Sequence, residues 1–269
     1  MNLPETFSFN QQNLEDFQNC RKLFYLRHIL NQDWPALESE PVREHEELMR
    51  LGEQFHRLVY QQGIGIPAEF LNLSMEDAEM EKWHQEFTKL RIDTLPGEKF
   101  YEKLITVPFG KYRLLAKYDL LIYTPDHHAL VFDWKTSQRE PQRRWLVDRM
   151  QTLVYPLVLA LKSEPPTLQP QDIEMTYWYP AFPNSSIKFI YSPEQFQSDR
   201  EKIAGLITEI ESLEPDQFVM TNKVKLCEFC RYRSLCERGE KAGDFRTREE
   251  DDEISSPFDF DFDELPTGE

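Results

Sequence analysis

Three segments in the middle of the chain, residues 100–107, 112–123 and 129–134, are dense in β-branched and aromatic residues and are joined by short connections. Such segments read as strands, and links this short make successive strands run antiparallel. Pro125-Asp126 supplies the turn signal between the second and third. Around this meander the apolar period changes to that of helices. Residues 10–30 carry Leu14, Phe17, Phe24 and Tyr25 on one face, with Ser8 near the start; residues 41–61 carry Leu48, Leu51, Phe55 and Leu58; residues 76–90 carry Met80, Trp83, Phe87 and Leu90. Beyond the meander, Pro141 opens a helix to about residue 161, strands follow at 173–179 and 187–191, and a last helix runs from 192 to about 213. The order predicts an α/β fold, a mixed sheet flanked by helices. Residues 1–240 read as one domain and residues 241–269 as an acidic, disordered tail.

The formal net charge of −17 argues at first against a polyanionic partner. The charge is uneven, however. Residues 240–269 hold 12 acids and 3 bases, so more than half of the excess lies in that last stretch. Residues 135–149 carry five bases against Glu140 and Asp148, and Lys223, Lys225, Arg231, Arg233 and Arg238 cluster against Glu228 and Glu237. Local field decides where a polyanion docks. The longest apolar stretch, 153–161, is interrupted by Pro156 and is too short to span a bilayer, which predicts no membrane partner. The first residues, MNLPETFSFNQQ, lack a basic and an apolar region, so no secretory signal is expected and the location reads as cytoplasmic. None of the nine glycines fits a phosphate-binding G-x-x-x-x-G-K-[ST] loop, so no helicase motor is expected.

The chemistry concentrates in Ala-Leu-Val-Phe-Asp133-Trp134-Lys135. Two residues apart on a strand, Asp133 and Lys135 leave the same face, with Val131; Leu130, Phe132 and Trp134 take the other. An acid and a lysine at the end of an apolar strand cost desolvation free energy unless something pairs them. Asp119, in the preceding strand, can be brought beside Asp133 by the hairpin, and two close carboxylates favour a divalent cation between them. Such a cation polarises a phosphodiester and activates a bound water, and Lys135 is placed to orient that water or stabilise phosphate charge. Taken alone, D-x-K describes many surface pairs. His56, beside the apolar stripe of the second helix, could add a ligand, although a lone histidine is more often satisfied by a carbonyl. Gln151 and Tyr155 share a helix face just downstream, among Arg143, Arg144 and Arg149, and suit contact with phosphate and base. Ordinary capping and core-edge roles are the rival reading.

Cys227, Cys230 and Cys236 form a C-x₂-C-x₅-C array, and Cys20 is the remaining cysteine. Three thiolates this close can bind one metal centre, which needs a fourth ligand. Spacing alone leaves zinc and iron–sulfur both open.

The ordered set His56, Asp119, Asp133-Trp134-Lys135 and Gln151-x-x-x-Tyr155, in the contexts LGEQFH, KYDLLIY, VFDWKTS and RMQTLVYPLVLA, resembles the RecB-like branch of the PD-(D/E)xK nuclease superfamily across roughly residues 7–240. The resemblance implies that His56, Asp119 and Asp133 bind Mg²⁺ or Mn²⁺ with the Trp134 carbonyl, and that Lys135 is the catalytic lysine. It further implies that Gln151 and Tyr155 line the site and the path of the DNA. One early and three late cysteines are similar to the cluster-bearing members of that branch, among them the AddB subunit, the CRISPR-associated adaptation nuclease and exonuclease V. That likeness implies a [4Fe–4S] cluster on Cys20, Cys227, Cys230 and Cys236. Ala116 stands where the family often has glycine. The expected activity is hydrolysis of DNA, on single-stranded ends, in repair, recombination or foreign-DNA processing. A non-catalytic DNA-holding subunit and a zinc-stabilised scaffold are the alternatives. The aromatic–acid alternation at 255–265 suggests a docking segment for a protein partner, or a strand mimic competing with DNA.

Overall fold

The computed structural model describes residues 3–32, 40–72, 78–137, 139–164 and 166–239; the tail reading at 241–269 lies outside them. The chain divides into two compact units, one built from residues 2–11 and 51–211, the other from 12–50 and from 212 onward.

The larger unit is organised by its sheet. Strands β1 (Ser8–Phe9), β2 (Glu98–Phe109), β3 (Tyr112–Tyr123), β4 (Ala129–Trp134), β5 (Ile173–Trp178) and β6 (Ile187–Ile190) lie in the order β1-β3-β4-β5-β6, with β2 also on β3. The expected antiparallel meander is present. β2 pairs with β3 from Glu98↔Tyr123 to Phe109↔Tyr112 and so occupies one whole edge of β3. A strand has only two edges, so β1 and β4 divide the other: β1 at Arg113 and Leu114, β4 from Leu120 to Tyr123. Asp119 lies just where β4 leaves β3. β4 and β5 are parallel, which demands a crossover, and that crossover holds the helices after Lys135.

One sheet face is covered by α3 (Glu40–Gly63), α4 (Ala68–Asn72) and α5 (Ala78–Lys89). Phe55, Leu58, Trp83 and Phe87 bury against Leu120, Ile122, Trp134 and Trp178, with Phe87 and Trp134 edge-to-face at 5.2 Å. Between α3 and β4, Gly52 makes the close approach possible: a Cβ there would lie 2.6 Å from Thr136 Oγ1. The opposite face is covered by α7 (Met150–Leu161), whose residues 150–159 are all buried. Its burial on every side overrides Pro156, because the packing that holds the helix exceeds the loss of one internal hydrogen bond. Helix α8 (Pro193–Ser212) ends the unit near the predicted limits.

Two predicted helices are broken. The helix expected over 141–161 is instead α6 (Arg143–Leu146) and α7, parted where Arg149 is extended at φ −63°, ψ 141° and N-caps α7. The helix expected over 10–30 stops at α1 (Gln11–Asn19); Cys20 is extended at φ −159°, ψ 110°, and α2 (Arg21–Phe24) and a π-helical turn (Tyr25–Ile29) follow. The cause lies far along the chain. Within the smaller unit the Lys22 N–H donates to the Val219 carbonyl at 3.1 Å, and Phe24 and Tyr25 stack on Phe218. Buried Asp16 gathers His28 at 2.7 Å, Gln12 at 3.1 Å and Arg27 at 3.3 Å, which pins α1 to the turn beyond the break. Helix α9 (Val224–Glu228) carries Cys227.

Candidate active site and thiol cavity

Alternation along β3 fails at Asp119. Tyr118 donates its hydroxyl to the Tyr155 carbonyl on α7 at 2.8 Å, yet Leu120, two residues on, packs under α3 and α5. Strict alternation would put both on one face. Across the ladder, between the pairs Tyr101↔Leu120 and Lys103↔Tyr118, Glu102 has φ +52°, a left-handed conformation rare for a residue with a side chain. Distortions of this kind re-aim a side chain beside a site. Here they turn Asp119 toward His56 of α3.

His56 Nδ1 is 3.3 Å from Asp119 Oδ1, and Asp119 Oδ2 accepts the Trp134 N–H at 2.7 Å. That N–H belongs to the end of β4, beyond its last pairing with β3, so the carboxylate takes over where the ladder stops. Asp133, only 2% exposed, accepts from the Gln151 amide at 2.5 Å on Oδ1, and Lys135 Nζ stands 3.1 Å from Oδ2. No hydrogen bond of good geometry reaches that Oδ2, so the ammonium offsets its charge without satisfying its directional preference. Lys135 also lies over the Tyr177 ring at 5.9 Å, and Tyr177 shares a hydrogen bond with Thr152 of α7 at 2.7 Å. His56, Asp119, Asp133, Lys135 and Gln151 therefore converge where β4 ends beside the middle of β3.

Electrostatics follows from this crowding. Burial pulls the His56 imidazole down, but the Asp119 charge and hydrogen bond, joined by Glu102 and Asp133, push it up to about 9. Burial raises Asp133 to about 7; Lys135 opposes the rise and Asp119 adds to it. Asp119 is also penalised by burial, yet His56, the Trp134 N–H and Lys135 together hold it below the usual carboxylate range. Glu102 is raised by burial and by Asp119, against the pull of Lys117.

Glu102 is the residue that sequence reasoning missed. With His56 and Asp119 it forms a group whose ligand atoms all lie within 4.8 Å of one another, the one such group of three among the described residues. Its carboxylate is ion-paired to Lys117. Its strand also carries Glu98, Lys99 and Lys103, so nothing in Phe100-Tyr-Glu102-Lys-Leu singles it out in the sequence. One imidazole and two carboxylates suit a divalent cation of the Mg²⁺ or Mn²⁺ kind.

The remaining candidates are placed differently. Tyr155 is buried with its ring 4.9 Å from that of Tyr118. Arg143 donates to the Lys188 carbonyl at 2.6 Å and covers the Phe189 ring at 4.2 Å, so it secures β6. Arg144 is exposed, 5.3 Å from the Trp145 ring, and Arg149 is half-buried at the start of α7. Trp134 buries its indole against Phe87 and Trp178.

In the smaller unit Cys20, Cys227, Cys230 and Cys236 line a single cavity with Leu23, Leu26 and Tyr232. All four are free thiols. The extended backbone at Cys20 takes its side chain off the helical path. Burial, together with the neighbouring thiols, pushes Cys230 up to about 12 despite the Tyr232 N–H, and Cys227 and Cys236 are raised mainly by burial. A metal centre reverses such shifts by binding the thiolate form.

The larger unit thus groups an imidazole and carboxylates that could hold a divalent cation beside a lysine where β4 ends. Residues 8–237 match the sequence profile of the PD-(D/E)XK nuclease superfamily, and the chain belongs to that superfamily. Its members use divalent metals. Among solved structures, a candidate exonuclease from Eubacterium rectale is 11% identical with a TM-score of 0.50, over 87% of this chain and 93% of that one. SSO0001 is 13% identical with a TM-score of 0.41, over 87% and 88%. Likeness at this distance concerns the fold alone. No curated protein matches the sequence. Among the described residues, no helix is long and apolar enough to cross a membrane.

Proposed function

We propose that this protein is a divalent-cation-dependent deoxyribonuclease that hydrolyses phosphodiesters at single-stranded DNA ends and carries a [4Fe–4S] cluster. The observation that carries the reading is the convergence of His56, Asp119, Asp133 and Lys135 where β4 ends beside the middle of β3. His56 and Asp119 would hold Mg²⁺ or Mn²⁺, with Asp133 and the Trp134 carbonyl nearby. The bound cation would polarise the scissile phosphate and make its water a better nucleophile near neutral pH. Gln151 fixes the plane of Asp133, and Asp133 steers the Lys135 ammonium, which stabilises charge developing on the phosphate. Arg144 and Arg149 serve the DNA backbone, and their contribution should fade with salt.

The cluster reading is supported by the cavity that all four thiols line. The choice of iron–sulfur over zinc rests on the resemblance of one early and three late cysteines to the cluster-bearing members of the RecB-like branch. The role assigned to the cluster is structural, tying the segment after Lys223 to the Cys20 break within the same unit. Repair, recombination or foreign-DNA processing is the process such an activity would serve.

The test is anaerobic purification with an iron assay, followed by digestion of 5′- and 3′-labelled single strands with Mg²⁺, Mn²⁺ or chelator. Cleavage that requires the cation and is lost in Lys135→Met and Asp119→Asn is expected. DNA binding without cleavage in the wild type would instead make the chain a DNA-holding subunit, and absence of iron would remove the cluster.

A further inference from the structure

Two acid–lysine pairs flank Asp119, and only one of them, Asp133 with Lys135, belongs to the D-x-K strand. The other is Glu102 with Lys117, on β2 and β3. We infer that Glu102 is a further side-chain ligand of the cation held by His56 and Asp119, and that Lys117 is the positioning residue that sets it. The inference rests on the nuclease reading and deepens it.

Three observations converge. The ligand atoms of Glu102, His56 and Asp119 lie within 4.8 Å of one another, and they come from three separate elements, β2, α3 and β3. Asp133 is outside that group; its oxygens face the Gln151 amide and the Lys135 ammonium. Next, the register places Glu102 opposite Asp119, since Tyr101 pairs with Leu120 and Lys103 with Tyr118. Like charges directly opposite on a ladder repel. Lys117 offsets the charge of Glu102, but His56 and Asp119 remain within reach of the same carboxylate, an arrangement a divalent cation completes. Finally, Glu102 holds φ +52° inside a 12-residue strand whose pairing is regular on both sides. A left-handed backbone is unfavourable for glutamate, and here it presents the carboxylate to the histidine and aspartate. Three side-chain donors leave half of an octahedral sphere for water and phosphate oxygens.

A rival explanation makes Glu102 and Lys117 an ordinary cross-strand ion pair. The two are separated by Mn²⁺ titration calorimetry on the full chain, with thermal melts to confirm folding. Wild-type binding that is abolished in Asp119→Asn is what the nuclease reading itself requires, and its absence would overturn that reading and this inference together. Given that binding, Glu102→Gln should weaken Mn²⁺ on the order of a hundredfold and Lys117→Met roughly tenfold, the range seen when groups supporting a metal site are removed. Lys117→Arg should retain most of the affinity. The exchanged variant Glu102→Lys/Lys117→Glu remakes a mere ion pair but removes the ligand; it should fold and still bind poorly. Wild-type affinity in Glu102→Gln, or recovery in the exchanged variant, would overturn the inference. Should Glu102→Gln fail to fold, Glu102→Asp answers the same question: a shortened carboxylate keeps the charge and must still lose affinity, and undiminished binding would overturn the inference.

Discussion

Gly52 is the narrowest point between α3 and the end of β4, and substituting it measures how tightly His56 is held over the carboxylates. It lies four residues before His56, on the same helix face. An added Cβ would meet Thr136 Oγ1 at 2.6 Å but Thr136 Cβ at 3.6 Å and Cγ2 at 3.8 Å, so only the hydroxyl collides. In Gly52→Ala the gain in helix propensity, about 1 kcal/mol, meets the cost of forcing Thr136 off its rotamer, about 0.5–1.5 kcal/mol. The two nearly cancel. With Thr136→Ala in place the collision is gone, and Gly52→Ala should stabilise by about 1 kcal/mol, or about 2–4 °C in Tm. The coupling between the two sites is then about 1 kcal/mol, measurable by a double-mutant cycle in urea. Gly52→Val adds methyl groups with nowhere to go, should cost about 1–3 kcal/mol, and should loosen Mn²⁺ binding as α3 lifts His56 from Asp119. The reasoning is refuted if Gly52→Ala stabilises by the full amount in both backgrounds, or if Gly52→Val binds Mn²⁺ as the wild type does.

Other expectations concern charge. Without divalent cation, melting temperature should fall as pH rises from about 4 to about 9. Asp133, raised to about 7, keeps a proton that the unfolded chain releases near pH 4, so its contribution is lost through that window. His56, raised to about 9, contributes stability fully present below about pH 6.5 and lost by about pH 9. Mn²⁺ should flatten the curve and His56→Gln should erase its upper part; a rising profile would contradict the site electrostatics. Gln151→Leu leaves Asp133 Oδ1 without its donor and should cost about 1–3 kcal/mol in denaturation, with cleavage down about 10–100-fold. Arg143→Ala exposes the Lys188 carbonyl and should lower Tm while leaving the salt slope of DNA binding unchanged, whereas Arg144→Ala should reduce that slope by about one. Equal slopes would remove Arg144 from the DNA path.

The strands were legible because β2 to β4 are dense in β-branched and aromatic residues, and the flanking helices because the 3.6 pattern of α3 and α5 puts Phe55, Leu58, Trp83 and Phe87 on buried faces. The pairing of Asp119 with the end of β4 also followed from strand geometry, as did Asp133 beside Lys135. What escaped has non-local causes. The break at Cys20 is set by Val219 and Phe218, some two hundred residues away, and no local residue in Asn19-Cys20-Arg21 announces it. Glu102 escaped because its role depends on a backbone sign that a glutamate does not advertise. Gln151 and Tyr155 were rightly placed on one helix, but shared burial put only Gln151 against the Asp133 carboxylate and sent Tyr155 to Tyr118. Arg143 resembled Arg144 in sequence; a carbonyl and a ring on β6 distinguish them.

The arrangement is tested most directly by diffraction from Mn²⁺-soaked crystals, collected at the manganese edge. One anomalous peak within bonding distance of His56 Nδ1 and an Asp119 carboxylate oxygen, with Lys135 Nζ alongside, is the expected result. A peak elsewhere, or none at an occupancy-saturating concentration, would contradict it.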